Sequence, residues 1–372
     1  MKSGIPILIF RSKFIRIFVF LFLFSQDSAS QNSVSINFSK SLEISSTNDD
    51  ILFGYLNHLQ IDSHGNIIAN DWSSKSLLSI DINSGKLIQV YDSQGRGPGE
   101  FLQPSTLFLD SIKDSLYVYD SSRLKILCFN LIEGKFHYSR EFTVTSKPLS
   151  FPSIFSLVKE KNSDNLSFLF RYKTSYSPNI NLSGAVDKLS LVNKEGRIKR
   201  DNLVSVQMDE AFVRQGGGSI SVRTNPLGAK TVFRPVLHGT KFFLGNGRFN
   251  IIQVIDIDGE VLDEINLDFL EEKKVTDEII NSYLSESYQD RFSDLINEYL
   301  PYYKDFFISE KGIWVQTHDN ELFLIDYDSH EVLNKTNLGS NLDIKHISEN
   351  RIYGLENSEY EQKIIVYNYK LN

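Results

Sequence analysis

The sequence predicts an all-β fold, a six-bladed β-propeller closed by its N-terminal strand, with a helical insertion between blades four and five. Three observations predict it. The first is a pattern of short strands written twice. It runs Ile67-Ile68-Ala69-Asn70-Asp71, Leu77-Leu78-Ser79-Ile80-Asp81 and, past Gly85, Leu87-Ile88-Gln89-Val90-Tyr91. It returns as Leu116-Tyr117-Val118-Tyr119-Asp120, Ile126-Leu127-Cys128-Phe129-Asn130 and, past Gly134, Phe136-His137-Tyr138. Asp71 pairs with Asp120 and Gly85 with Gly134, an offset of 49 residues both times, which is a propeller-blade period. The second is composition: 27 Phe and 17 Tyr against 2 Met suit side chains packed on pleated faces. The third is length, since 372 residues less a 30-residue leader leave about 57 per blade, inserts included.

Alternation and chain breakers place the elements in order. Blade one takes Leu56 to Asp92, with its inner strand at Asn57 to Ile61, and blade two takes Pro104 to Val144. Blade three has strands at Ser153 to Val158, Leu166 to Tyr172, Lys188 to Val192 and Arg197 to Val206, with a polar loop from Lys173 to Asp187. Blade four follows at Thr231 to Val236, Lys241 to Leu244, Phe249 to Asp256 and Glu260 to Leu267. Blade five is compact, at Asp305 to Ser309, Gly312 to Thr317, Glu321 to Asp326 and Glu331 to Leu338. Blade six offers only Leu342 to Ile347, Arg351 to Leu355 and Lys363 to Tyr369. Its fourth strand is expected from Val34 to Phe38 and Leu42 to Ile44, because an open ring would leave two unpaired sheet edges.

The stretch from Leu270 to Leu300 breaks the β pattern. Ile279, Ile280, Tyr283 and Leu284, then Phe292, Leu295, Ile296 and Tyr299, recur at helical spacing before Pro301. One or two amphipathic helices are expected at about residues 270–300, with the apolar stripe packed on the propeller rim.

Residues 1–30 read as a signal peptide. Lys2, Arg11, Lys13 and Arg16 flank or precede an apolar run from Ile17 to Phe24, and small residues Ser28-Ala29-Ser30 follow; this is the order of a cleavable leader. The run is too short to span a bilayer, so the expected location is periplasmic or extracellular, with membrane proximity only if the leader is retained. The remainder, 31–372, reads as a single propeller domain. Without the leader the chain carries 35 basic and 46 acidic residues, a balance that argues against nucleic acid as a partner. The lone Cys128 lies in an apolar strand pattern, where it acts as a small hydrophobe rather than a nucleophile or half of a disulfide.

In a four-stranded blade the first-to-second and third-to-fourth turns share one face, and the second-to-third loops and blade crossings share the other. Asp62-Ser63-His64-Gly65, Asn83-Ser84-Gly85, Glu133-Gly134 and Asp258-Gly259 fall on the first face as tight turns. The second face receives the Asp71-Trp72 loop, residues 95–101, the loop from Asp120 to Arg123, Lys173 to Asp187, Gln207 to Lys230 and the helical segment. Nearly all elaboration sits there, which marks it as the binding face.

Gly95-Arg96-Gly97-Pro98-Gly99-Glu100-Phe101, followed by Pro104 and Leu116-Tyr117-Val118-Tyr119-Asp120, resembles the bacterial secreted six-bladed β-propeller family, whose members resemble NHL-repeat propellers. The resemblance covers about residues 55–145 and implies fold and export. It implies little chemistry, because the family's molecular function is largely undefined. Gly95, Gly97, Pro98, Gly99 and Phe101 are expected to form a structural corner, with Phe101 plugging the space between blades one and two.

No catalytic set is legible: there is no Gly-x-Ser-x-Gly elbow and no Ser, His and acid in a recognisable order. Candidate ligand-binding residues are Arg96, Glu100, Asp71, Trp72, Arg123, Arg171, Arg223 and Arg234, because arginine forks grip carboxylates and these positions lie in or near the elaborated face. Gln215 to Ser219 reads as a flexible loop beside Arg214 and Arg223. The seven histidines lack paired metal-ligand spacing; His58, His238 and His346 lie near inner strands, so an axial metal for a hydrolase or lyase is the alternative reading. The leading expectation is a non-catalytic module without cofactor that binds a protein or carbohydrate partner.

Overall fold

The computed structural model describes residues 35–46, 53–145, 150–160, 166–174, 186–216, 219–236, 239–339, 342–358 and 361–372. The leader and most of the loop from Lys173 to Asp187 lie outside them. Strand β1 is Ile36–Ser45. Blade one comprises β2 (Leu56–Ile61), β3 (Ile67–Asp71), β4 (Ser76–Ile80) and β5 (Leu87–Tyr91). Blade two comprises β6 (Pro104–Asp110), β7 (Ser115–Asp120), β8 (Lys125–Ile132) and β9 (Lys135–Thr143). Blade three comprises β10 (Ser150–Lys159), β11 (Leu166–Thr174), β12 (Val186–Val192) and β13 (Ile198–Gln207). A ribbon of β14 (Ala211–Gly216) and β15 (Ser219–Thr224) precedes blade four, which comprises β16 (Thr231–Pro235), β17 (Lys241–Asn246), β18 (Ile251–Asp256) and β19 (Val261–Asn266). Two short helices, α1 (Asp277–Tyr283) and α2 (Glu286–Phe292), separate it from blade five, of β20 (Asp305–Ser309), β21 (Gly312–Gln316), β22 (Glu321–Ile325) and β23 (Val332–Asn337). Blade six has β24 (Leu342–Ile347), β25 (Arg351–Asn357) and β26 (Gln362–Leu371).

Every blade is an antiparallel sheet in chain order, and β1 completes the sixth in the order β1-β26-β25-β24. The inner strands touch in sequence: β2 meets β6, β6 meets β10, β10 meets β16, β16 meets β20, β20 meets β24, and β24 meets β2. The fold is therefore a closed six-bladed propeller with the inner strands around its axis.

Burial explains the closure. Six apolar clusters fill the six junctions between blades, for example Ile68 and Leu77 of blade one against Leu107, Val118 and Leu127 of blade two. Each blade buries both faces against its neighbours, so strands such as β3, β4 and β21 are buried along their whole length.

Polar staples then fix the inner strands. Asn70 Nδ2 donates to Pro104 O (2.9 Å), Tyr119 Oη to Pro152 O (2.8 Å), Thr231 Oγ1 to Gln207 O (2.7 Å), Arg234 Nε to Phe306 O (2.9 Å) and Gln316 Nε2 to Leu342 O (3.0 Å). At the closing junction, Gln362 accepts from Leu56 N at 2.6 Å and donates to Leu56 O at 3.3 Å.

The described turns of the plain face are tight. Asp62, Asp81, Asp256 and Asp326 each accept two backbone N–H groups of their own turn through Oδ1, the Asx arrangement that makes these residues turn formers. Gly259 takes φ 87°, and a Cβ there would lie 2.7 Å from Leu203 O, so glycine is required.

Two sequence expectations need correction. The segment from Gln207 to Lys230, including Gln215 to Ser219, is not simply a loop. β14 and β15 pair from Ala211↔Thr224 to Gly216↔Ser219. The helical stripe also does not lie on the bare rim. Phe292, Leu284 and Leu300 form a cluster with Phe212 of the ribbon and Leu227, and Phe212 and Phe292 stack at 4.8 Å. Ribbon and helices cover each other's apolar sides and form a small second core on the elaborated face.

Candidate functional site

The glycine-rich corner links β5 to β6 and is fixed from inside. Gly97 N–H donates to Glu100 Oε2 at 2.6 Å, and Tyr91 Oη donates to Gly99 O at 3.0 Å. Gly99 adopts φ 78°, with Tyr138 and Tyr91 closing round it. Arg123 clamps the corner by donating to Glu100 O (2.6 Å) and Arg96 O (2.9 Å). Phe101 is fully buried in the cluster between blades one and two. Glu100 and Arg123 thus have structural contacts, whereas the Arg96 side chain is exposed.

Asp71 is also turned inward. Its carboxylate accepts from Gly54 N (2.8 Å), Tyr55 N (3.0 Å) and Ser73 N (2.9 Å), and these bonds hold its pKa below the usual value against the opposing cost of burial. Asp120 does the same work one repeat later, accepting from Leu102 N (2.8 Å), Gln103 N (3.2 Å) and Ser122 N (3.1 Å). The repeated aspartates in the sequence are the clasps that join each second strand to the entry of its own inner strand.

Arg171 is buried in an ionic network: Nε donates to Asp187 Oδ2 at 2.6 Å, Nη1 to Asp209 Oδ1 at 2.9 Å and Nη2 to Gln207 O at 3.3 Å. Removing one partner of such a network leaves buried charge uncompensated, so Arg171→Met is expected to cost about 3–5 kcal/mol. A fall in the denaturant midpoint measures it; an unchanged midpoint refutes the assignment.

The axis carries the densest unexplained chemistry. Arg234 Nη2 meets Asp305 at 2.7 Å, and Lys345 meets Asp343 at 2.8 Å. Burial raises the Asp305 pKa against the Arg234 charge. His58 of β2 is held neutral down to about 4, first by burial and then by the charges of Lys345 and, across the axis, Arg234. His346 is lowered to about 4 for the same two kinds of reason, burial and Arg234. His238 lies outside the described residues. Cationic neighbours oppose a metal ion between His58 and His346, and no three His, Cys, Asp or Glu side chains converge among the described residues.

His318 was not singled out by the sequence. It lies in the loop between β21 and β22 on the elaborated face, and both ring nitrogens are buried without a partner among the described residues. Tyr283 of α1 packs edge-on at 6.3 Å and donates from Oη to His318 O at 3.0 Å. Burial, with Lys304 and Lys230 adding, lowers its pKa to about 4. The only sequence signal was a polar Thr-His-Asp-Asn loop, indistinguishable from a turn. Cys128 is buried, and burial pushes its thiol up to about 11, as for an inert core residue.

Trp72 is 42% exposed and Tyr55 52% exposed, and Trp72 N donates to Tyr55 O at 2.7 Å. Phe249, on the loop between β17 and β18, is 49% exposed. Arg223 is exposed on the ribbon.

Residues 27–176 match the sequence model of a family described as 6-bladed beta-propeller, DUF5128. No curated protein matches the chain. Among solved structures, a member of the DUF4221 family from Bacteroides vulgatus ATCC 8482 is 11% identical, covering 92% of this chain and 100% of its own, at a TM-score of 0.58. A putative exported protein from Bacteroides fragilis NCTC 9343 is 13% identical over 93% of this chain and 98% of its own, at 0.48. A catalytically inactive virginiamycin B lyase from Staphylococcus aureus, solved with quinupristin, is 12% identical over 89% and 99%, at 0.46. At these identities the DUF4221 likeness speaks for the fold alone.

Proposed function

We propose that the chain is an exported, non-catalytic binding propeller, related to the secreted NHL-like propellers, that engages a protein or carbohydrate partner through its elaborated face. The observation that carries the reading is one-sidedness. The glycine-rich corner, the ribbon, the helices and the exposed Tyr55, Trp72 and Phe249 all lie on one face, while the described turns of the other are short, with Ile112 the large apolar side chain most exposed there. Rigid scaffolds concentrate recognition on such loops. Export rests on the leader pattern in residues 1–30.

Cross-linking the mature protein to bacterial envelope fractions through its lysines tests this. Partner cross-links are expected at Lys230, Lys274 and Lys304. Cross-links confined to Lys86, Lys113 and Lys135, on the plain face, would refute it.

A further inference from the structure

Four blades place an equivalent residue at the rim of the central channel, and hydrogen bonds establish the equivalence. The Asp71 and Asp120 carboxylates hold Tyr55 N and Gln103 N. Trp72 N, Ser121 N and Gly247 N, each just past or near the end of a second strand, donate to Tyr55 O, Gln103 O and Lys230 O. Lys304 N bonds Gln316 O at 2.7 Å immediately before β20. Tyr55, Gln103, Lys230 and Lys304 therefore occupy one rung, directly before the inner strands of blades one, two, four and five. Those strands start on the elaborated face, so the rung is the channel's mouth there.

The charges along the axis are uneven. Further along the inner strands, Arg234 and Lys345 have carboxylate partners, Asp305 and Asp343. Lys230 is exposed and Lys304 partly buried, and neither has an ion pair among the described residues. Burial lowers the Lys304 pKa, with Lys230 and Lys345 adding to the effect and the carboxylates of Asp343 and Asp305 opposing it. The two lysines stand on neighbouring blades of a chain of net charge −8. Gln103 Nε2 is a buried donor without a partner among the described residues. On the neighbouring blade stand the half-exposed Tyr55 and Trp72, whose flat rings can cover the apolar face of a ring ligand.

Building on the binding-propeller reading, we propose that this rim is a site for an acidic oligosaccharide of the hexuronate class that spans the mouth, the carboxylate of one unit on Lys230 and Lys304 of blades four and five and the face of another on Tyr55 and Trp72 of blade one. Paired cations fit the carboxylate; exposed aromatics fit a pyranose better than an extended acidic peptide, which has no continuous apolar face.

The test is calorimetry with tri-galacturonate, neutral galactotriose and tri-glutamate on the mature protein. Tri-galacturonate is expected to bind at least about tenfold more tightly than either control. Lys230→Gln/Lys304→Gln and, separately, Trp72→Ala are each expected to weaken it about tenfold or more, with thermal melts confirming folded variants and Lys113→Gln, on the plain face, leaving it unchanged. No tri-galacturonate binding, equal binding of tri-glutamate with Trp72→Ala silent, or binding indifferent to the double lysine change would each overturn the proposal. Such a failure alongside cross-links at Lys274 would leave the wider binding-face reading standing.

Discussion

Removal of residues 31–46 is expected to abolish the cooperative thermal transition of the whole domain. β1 pairs with β26 from Ile36↔Leu371 to Ser45↔Lys363. Ile44 is buried in the junction between blades six and one, with Leu42 packed beside it, while Ile36 and Phe38 pack on the junction between blades five and six. The strand therefore contributes to two of the six apolar clusters. Its loss bares the outer edge of β26 and opens two adjacent cores at once. Each large apolar side chain removed from such a core costs about 2–5 kcal/mol, and whole-domain stabilities are about 5–15 kcal/mol. Differential scanning calorimetry of the truncated and mature chains decides the matter. A truncated chain melting like the mature one would mean that the ring holds without its clasp.

The second large effect is acid sensitivity. His58, His318 and His346 sit at about 4 in the folded chain, against an ordinary histidine value of about 6.5. As pH falls through the ordinary value, the unfolded chain takes up protons that the folded chain refuses. Stability is complete above about pH 6.5 and drains toward pH 4. A tenfold loss of proton affinity corresponds to about 1.4 kcal/mol, so the three together remove several kcal/mol, or about 10 °C of Tm. Asp305, with its raised pKa, works in the opposite sense, and carboxylates such as Asp71 and Asp209, held low, add to the loss only at lower pH. Melting curves between pH 7 and pH 5 isolate the histidines. His318→Phe is expected to flatten the profile by about a third, and a flat profile in the native chain refutes the account.

The blades were legible because their signal is local. Alternation, Gly85, Gly134 and the Asp71 and Asp120 repeat are visible within one unit, and the incomplete sixth blade pointed to the N-terminal partner. Phe101 was legible as a plug because a lone aromatic after a glycine corner has nowhere else to pack. The ribbon was missed because Phe212-Val213-Arg214 and Ile220-Ser221-Val222 are short and separated by glycines that also suit a flexible loop. The site was less legible for a different reason. Arginine forks look alike in sequence whether they meet a ligand or, as for Arg171 and Arg123, a neighbour's carboxylate or carbonyl. The rung of Tyr55, Gln103, Lys230 and Lys304 has no one residue type in common, so only its position in the ring brings it together.

Ser35 and Asn372 exchange backbone hydrogen bonds at 3.3 Å and 2.9 Å, on the side of the ring away from the ribbon and helices. Anything attached ahead of residue 35 thus leaves from the plain underside. A tether there, whether a retained leader or an engineered linker, would hold the molecule like a dish on a stem, its open mouth directed away from the surface to which it is moored.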